Sequence, residues 1–182
     1  MVPFGGWEMP LEYGTGTIAE HVACRQRAVV FDVSHLGTVR VAGPDAFERL
    51  QSTLTNDLAK LGPGRAQYTH LLDEADGSVL DDIIVWWHPT HDDDAAGSGG
   101  EVFDVMPNAS NTDRVVAALG GRETTHERVI LAVQGPLATD MLATVFPAAA
   151  AVGRFRVQTA RWRDVDCVVA GTGYTGERGV EI

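Results

Sequence analysis

Four groups of residues have the types and spacing to do chemistry. GTGYTGERG (Gly171 to Gly179) contains G-x-G-x-x-G, which cradles a dinucleotide phosphate when it follows a strand and opens a helix. Here it follows VVAG and runs into the strand-like GVEI, so the segment reads instead as a tight turn presenting Tyr174 and Glu181. His88, His91 and Asp92 to Asp94 are metal-ligand types, but they fall among small polar residues with nothing to preorganise them, and a solvated loop is the favoured reading. Ser34-His35 offers a nucleophile and a base side by side, yet neighbours in a strand point to opposite faces and no G-x-S-x-G elbow is present. The fourth group is the pair Asp81-Asp82, set between Val79-Leu80 and IIVWW. One of the two must face away from the other, and a carboxylate among apolar residues is costly unless something pairs with it. The structural alternative is an acidic strand start at a hairpin edge.

The elements that carry these groups alternate between strand and helix periods. TIAEHVACRQRA (17–28) reads as a short amphipathic helix with Ile18, Val22 and Ala23 on one face, Thr17 as N-cap and Glu20 three residues on. VVFDV (29–33) and TVRVAG (38–43) read as strands, the second passing through Gly43-Pro44 into the helix DAFERLQSTL. The same arrangement recurs where VILAVQGP (129–136) runs into LATDMLATVF, matching Val41 with Val133, Ala46 with Ala138 and Leu50 with Leu142. Two such units suggest two related α+β halves. Between them, a strand around Tyr68 to Leu72, a turn at Asp73 to Gly77 and a strand from Val79 to Trp87 form a hairpin. His88 to Gly100 reads as an exposed loop before the strand EVFDVM, and Asn111 as the cap of the helix TDRVVAAL.

Composition narrows the class. The 182 residues are 45% hydrophobic and 21% charged, as in an ordinary globular protein, and no apolar run is long enough to span a bilayer. A net charge of −11 argues against nonspecific nucleic-acid binding. Cys24 and Cys167 are far apart and outside any C-x-x-C pair, so they read as reduced packing residues. A cytoplasmic location is expected. The abrupt start and the stop at GVEI, within a strand, read as the ends of a fragment.

FGGWEMP (4–10), FDVSHLG (31–37), LTNDL (54–58), AQYTHLLDEADGSVLDDIIV (66–85), LAVQGP (131–136) and GTGYTGERGVE (171–181) resemble, in order, blocks of the aminomethyltransferase family, the T proteins of glycine cleavage systems. The resemblance implies an α+β fold of two ferredoxin-like domains and a C-terminal barrel domain around a folate site. The first domain, discontinuous, would comprise residues near 1–38 and 127–182, and the second 39–126; the barrel would lie outside this chain.

The implied activity moves the one-carbon unit of an aminomethyl group, held on the lipoyl arm of the H protein, to tetrahydrofolate with release of ammonia; neither a metal nor nucleic acid is expected. Asp82 matches the family's essential aspartate, where a negative charge steadies an iminium-like carbon and orients the nucleophile. Glu181 matches a carboxylate for adjacent pterin donors, Tyr68 and Tyr174 match residues lining the folate pocket, and Asn108 matches a pocket asparagine. Leu36 stands where methionine is usual, and Met106-Pro107 replaces a valine-rich strand before Asn108. Related readings are a folate-dependent demethylase domain of the dimethylglycine or sarcosine oxidising type, and a non-catalytic folate-binding regulator. GWEMP with FDVSH favours the T proteins over the former, and neither Cys24 nor Cys167 lies in the regulators' cysteine motif.

Overall fold

The structure, a computed structural model, describes residues 1–89 and 100–182. His91 and Asp92 to Asp94 lie outside the described residues.

β1 (Val2–Phe4) and β2 (Trp7–Met9) form a hairpin closed at Gly5-Gly6, whose φ angles of 55° and 85° suit a two-residue primed turn. α1 (Thr17–Gln26) leads into β3 (Val29–Asp32). β4 (Val39–Gly43), α2 (Ala46–Thr53), β5 (Arg65–Leu72), β6 (Val79–Trp87), β7 (Glu101–Met106), α3 (Thr112–Leu119) and β8 (Arg122–Glu123) follow. The chain continues through β9 (Leu131–Gln134), α4 (Ala138–Val145), α5 (Pro147–Ala150), β10 (Val157–Trp162), β11 (Val165–Ala170) and β12 (Gly179–Glu181). These elements gather into two compact units, a discontinuous one of Met1–His35 with Val129–Ile182, and a continuous one of Leu36–Arg128.

In the continuous unit five antiparallel strands run in the order β5-β6-β7-β4-β8. The two-residue period sends Val39 and Val41, Ile83, Val85 and Trp87, and Phe103 and Val105 to one face, where Leu50 of α2 and Val115 and Leu119 of α3 complete a core. The alternate residues, Arg40, Tyr68, His70, Asp82, Trp86 and Asp104, belong to the other face.

The discontinuous unit has the same plan. Its order is β10-β11-β12-β9-β3, so placing β9 on β4 superposes every neighbour: β10 on β5, β11 on β6, β12 on β7 and β3 on β8. The helix that precedes the last of these strands, α3 in one unit, is α1 in the other, contributed from the N-terminal side of the chain. The strand, Gly-Pro, helix units match in detail. Ala46 and Ala138 are both fully buried, Gly43 and Gly135 have φ of 118° and 133°, and the residues ahead of the helices, Asp45 and Leu137, have ψ of 4° each. Leu142, Phe146, Ala149, Val152, Val169 and Val180 form a core in this unit. The α+β class expected from sequence is the class found.

Local details differ from expectation. Thr17 is the first helical residue of α1 and Gly16, which has no side chain to make a cap bond, is its cap; Glu20 accepts a hydrogen bond from the Tyr13 N–H at 2.6 Å. Ile18 and Val22 share a face as expected, but it is exposed; Cys24 is the buried residue of the helix. Among the described residues no helix is long and apolar enough to cross a membrane.

Candidate functional site

β6 is built from β-branched and aromatic residues that pair on both sides, which fixes its register and hence the opposite headings of Asp81 and Asp82. Asp81 points to the core side and is only 3% exposed. Burial of a carboxylate is offset here by three donors: the Asn108 backbone N–H at 3.0 Å, the Asn108 side-chain amide at 2.8 Å and the Asn111 side-chain amide at 2.8 Å. Asn111 also donates to the Leu80 carbonyl and accepts from Arg114, each at 3.2 Å. It occupies the N-cap position of α3 without a side-chain cap bond, since its amide is turned toward Asp81.

Asp82 faces the opposite way and is exposed. The Tyr68 hydroxyl donates to one of its oxygens at 3.2 Å and the Asn108 amide to the other at 3.0 Å. Desolvation and the hydrogen bond to Asp82 raise the Tyr68 phenol above its ordinary pKa, so it stays protonated and able to donate. His70, the cross-strand neighbour of Asp82, sets its ring edge-on to Tyr68 with centroids 5.1 Å apart. The ladder of β7 ends at Met106 because Pro107 has no N–H to donate. Its carbonyl accepts from Gly37, and Asn108 turns back over β6 to reach both aspartates. The Met106-Pro107 departure noted in the sequence is thus what directs Asn108.

Further along the same face lies a charge cluster that sequence reading did not single out. Arg40 donates two hydrogen bonds of 2.8 Å to Asp104, and His88 Nε2 lies 2.8 Å from the same carboxylate. Burial would raise the Asp104 carboxyl, but the hydrogen bonds and charges of His88 and Arg40 outweigh it and hold the pKa at about 2. His88, considered above as a metal ligand, is therefore engaged with the Asp104 carboxylate. An Asp between Phe103 and Val105 in EVFDVM was the available signal.

In the discontinuous unit the Gly-rich segment links β11 to β12 and opens no helix, which removes the phosphate-cradle reading. Glu181 lies in β12, 6% exposed, and accepts a hydrogen bond of 2.5 Å from the Thr172 hydroxyl. Tyr174, at the turn, is 62% exposed. Arg25 of α1 clamps the turn, donating to the Thr175 carbonyl and to Glu177 at 2.8 Å each. Gln134 of LAVQGP, fully buried at the end of β9, is a contributor whose role the sequence alone does not mark. Its amide lies among the turn's backbone groups.

Ser34 and His35 lie in a turn after β3 rather than in a strand. Ser34 Oγ accepts from the Ile130 N–H at 3.0 Å, and His35 packs edge-on to Phe4 with its pKa lowered by burial. Leu36 is buried in the continuous unit, where its carbonyl accepts from Arg128 at 2.8 Å. Of the residues singled out in the sequence, Tyr68, Asp82 and Asn108 therefore meet in one unit, while Tyr174 and Glu181 belong to the other. Among the described residues no three His, Cys, Asp or Glu side chains are grouped to hold a metal ion.

Residues 1–182 match the family model described as the GCVT N-terminal domain. An aminomethyltransferase of Parafrankia sp. (strain EAN1pec) is 43% identical, the match covering 98% of this chain and 48% of the relative. A probable aminomethyltransferase of Halobacterium salinarum is 40% identical over 98% of this chain and 50% of its own. The chain thus spans about half the length of the curated relatives it matches. The crystal structure of glycine cleavage system aminomethyltransferase T from Bartonella henselae superposes with a TM-score of 0.83 at 32% identity, over 99% of this chain and 48% of that one.

Proposed function

The chain belongs to the GCVT N-terminal domain family, and from that premise we propose that it serves as an aminomethyltransferase of glycine cleavage in the cytoplasm, with the lipoylated H protein and tetrahydrofolate as its partners. The observation that carries this reading is the outward-facing carboxylate of Asp82, gripped by Tyr68 and Asn108. Two fixed donors leave this exposed side chain little rotational freedom, which is what orientation of a reacting group requires.

In the reaction the aminomethyl carbon loses its bonds to nitrogen and to the lipoyl sulfur and gains two bonds to folate nitrogens. The two N–H protons of tetrahydrofolate balance the ammonia and the lipoyl thiol that leave. As the lipoyl sulfur leaves a carbon still bonded to nitrogen, that carbon acquires iminium character, and a fixed negative charge beside it lowers that barrier. Asp82 is assigned this task. Tyr68 and Asn108 hold the carboxylate in place. Glu181 is assigned the pterin: its two oxygens suit adjacent N–H donors, and Thr172 fixes the carboxylate. Tyr174 offers an exposed aromatic surface for a flat ring, and Leu36 an apolar contact.

The test is ammonia release from aminomethylated H protein, measured together with calorimetric binding of tetrahydrofolate. Binding of tetrahydrofolate with turnover that vanishes in Asp82→Ala is the expected result. Absence of folate binding, or undiminished turnover in the variant, rejects the reading.

A further inference from the structure

We propose that Gln134 is a positioning residue that sets the geometry of the Gly171–Gly179 turn and, through it, of Glu181 and Tyr174; this rests on the folate role proposed for those two residues. β11 and β12 share a single ladder pair, Ala170 with Glu181, so the intervening turn has little ladder to hold it. Gln134 supplies that hold from the neighbouring strand. Its Nε2 donates toward the Thr172 carbonyl at 3.2 Å and the Val180 carbonyl at 3.4 Å, and its Oε1 accepts from the Thr175 hydroxyl at 3.0 Å.

These three anchors bracket the ligand-facing residues. Thr172 is held at its carbonyl by Gln134 while its hydroxyl donates to Glu181, and Val180 immediately precedes Glu181. Thr175 immediately follows Tyr174. The fit is close enough to dictate glycine on the turn. A Cβ at Gly173 would overlap the Gln134 amide, while one at Gly179 would meet the Val133 carbonyl oxygen first and also come within 2.7 Å of Nε2. A fully buried amide at this point, in a strand otherwise made of Leu131, Ala132 and Val133, is poorly explained by packing, which an apolar residue of the same length would satisfy.

The experiment uses the whole protein with Gln134→Met, nearly isosteric but without donors or acceptor, and Thr175→Val, which removes the hydroxyl that donates to Gln134 and accepts from the Glu177 N–H. Tetrahydrofolate dissociation constants and the KM and kcat of ammonia release are measured. The expected result is a dissociation constant and KM for tetrahydrofolate raised about tenfold or more in Gln134→Met and about threefold in Thr175→Val, with kcat changed much less. The two effects combine to less than their product in the double variant, because both remove the same contact. Wild-type affinity in both variants overturns the proposal while leaving the folate reading intact. If Gln134→Met does not fold, Thr175→Val decides alone, and unchanged affinity there overturns it. A wild-type protein that does not bind tetrahydrofolate overturns both.

Discussion

Asp81 and Asp82 are consecutive in β6 and face opposite sides of its sheet, yet one side chain joins them: the Asn108 amide lies 2.8 Å from an oxygen of the first and 3.0 Å from an oxygen of the second. Asp81 is buried and takes two further donors, whereas Asp82 is exposed and takes Tyr68 besides. A buried carboxylate saturated with hydrogen bonds is suited to holding Asn108 still. An exposed one with an open side is suited to meeting a substrate.

Substitution of Asp82 should therefore cost activity and spare the fold. Asp82→Asn keeps the shape and removes the charge, so turnover should fall by about 10²- to 10³-fold. Unfolding free energy should change by no more than about 0.5 kcal/mol, as for other exposed sites. Ammonia release and a denaturant titration on the same preparation check this, and a variant that loses stability and activity in proportion would assign Asp82 to the framework.

Asp81→Ala should do the reverse. It strands the Asn108 N–H and takes one acceptor from each of the two part-buried asparagine amides, at a cost of about 2 to 3 kcal/mol. A midpoint indistinguishable from wild type in denaturant would show that Asp81 has no such framework role. Asn111→Ala removes one of the three donors and should cost less, about 1 kcal/mol.

The acid limb of stability should trace to Asp104. Its carboxyl is depressed from 3.8 to about 2 in the folded state, so its contribution is present above the unfolded value and disappears as pH falls through the folded one. The window is thus pH 4 to 2, and the contribution about 2 kcal/mol. Asp104→Asn should flatten the fall of unfolding free energy across that window. Parallel curves for variant and wild type between those pH values would contradict the assignment.

How far the sequence could lead is decided by the range of each signal. The Gly-Pro repeat and the β5-β6 hairpin were legible because strand period, helix period and turn residues are local. The split between Asp81 and Asp82 was legible for the same reason, as alternation forces it. Asn111 stands at the N-cap position of α3 as expected, but the use of its side chain was not legible, because its partner Asp81 is distant in sequence and comes from β6. Gln134 and Asp104 were visible as polar residues in apolar strands. Their partners, Thr172, Val180 and Thr175 for the one and Arg40 and His88 for the other, come from other strands and turns.

The correspondence between the two units makes its own prediction, since equivalent glycines meet different surroundings. Gly43 and Gly135 both adopt positive φ, 118° and 133°, so alanine is strained at either and should cost about 1 to 2 kcal/mol for conformation alone. At Gly43, among the described residues, an added Cβ meets Asp45 Oδ1 at an ordinary 3.5 Å. At Gly135 it would overlap the Arg27 carbonyl oxygen and lie 2.9 Å from the Cys24 carbonyl oxygen, both backbone atoms at the end of α1. Backbone cannot rotate away as a side chain can, so Gly135→Ala should cost a further 1 to 3 kcal/mol or so. The difference arises because Leu137, in the turn after Gly135, donates its N–H to the Arg27 carbonyl, drawing the end of α1 against the glycine. Denaturant midpoints of the two alanine variants should therefore separate clearly, with Gly135→Ala the lower; equal midpoints, or the reverse order, would show that α1 does not bear on the Gly-Pro turn in solution.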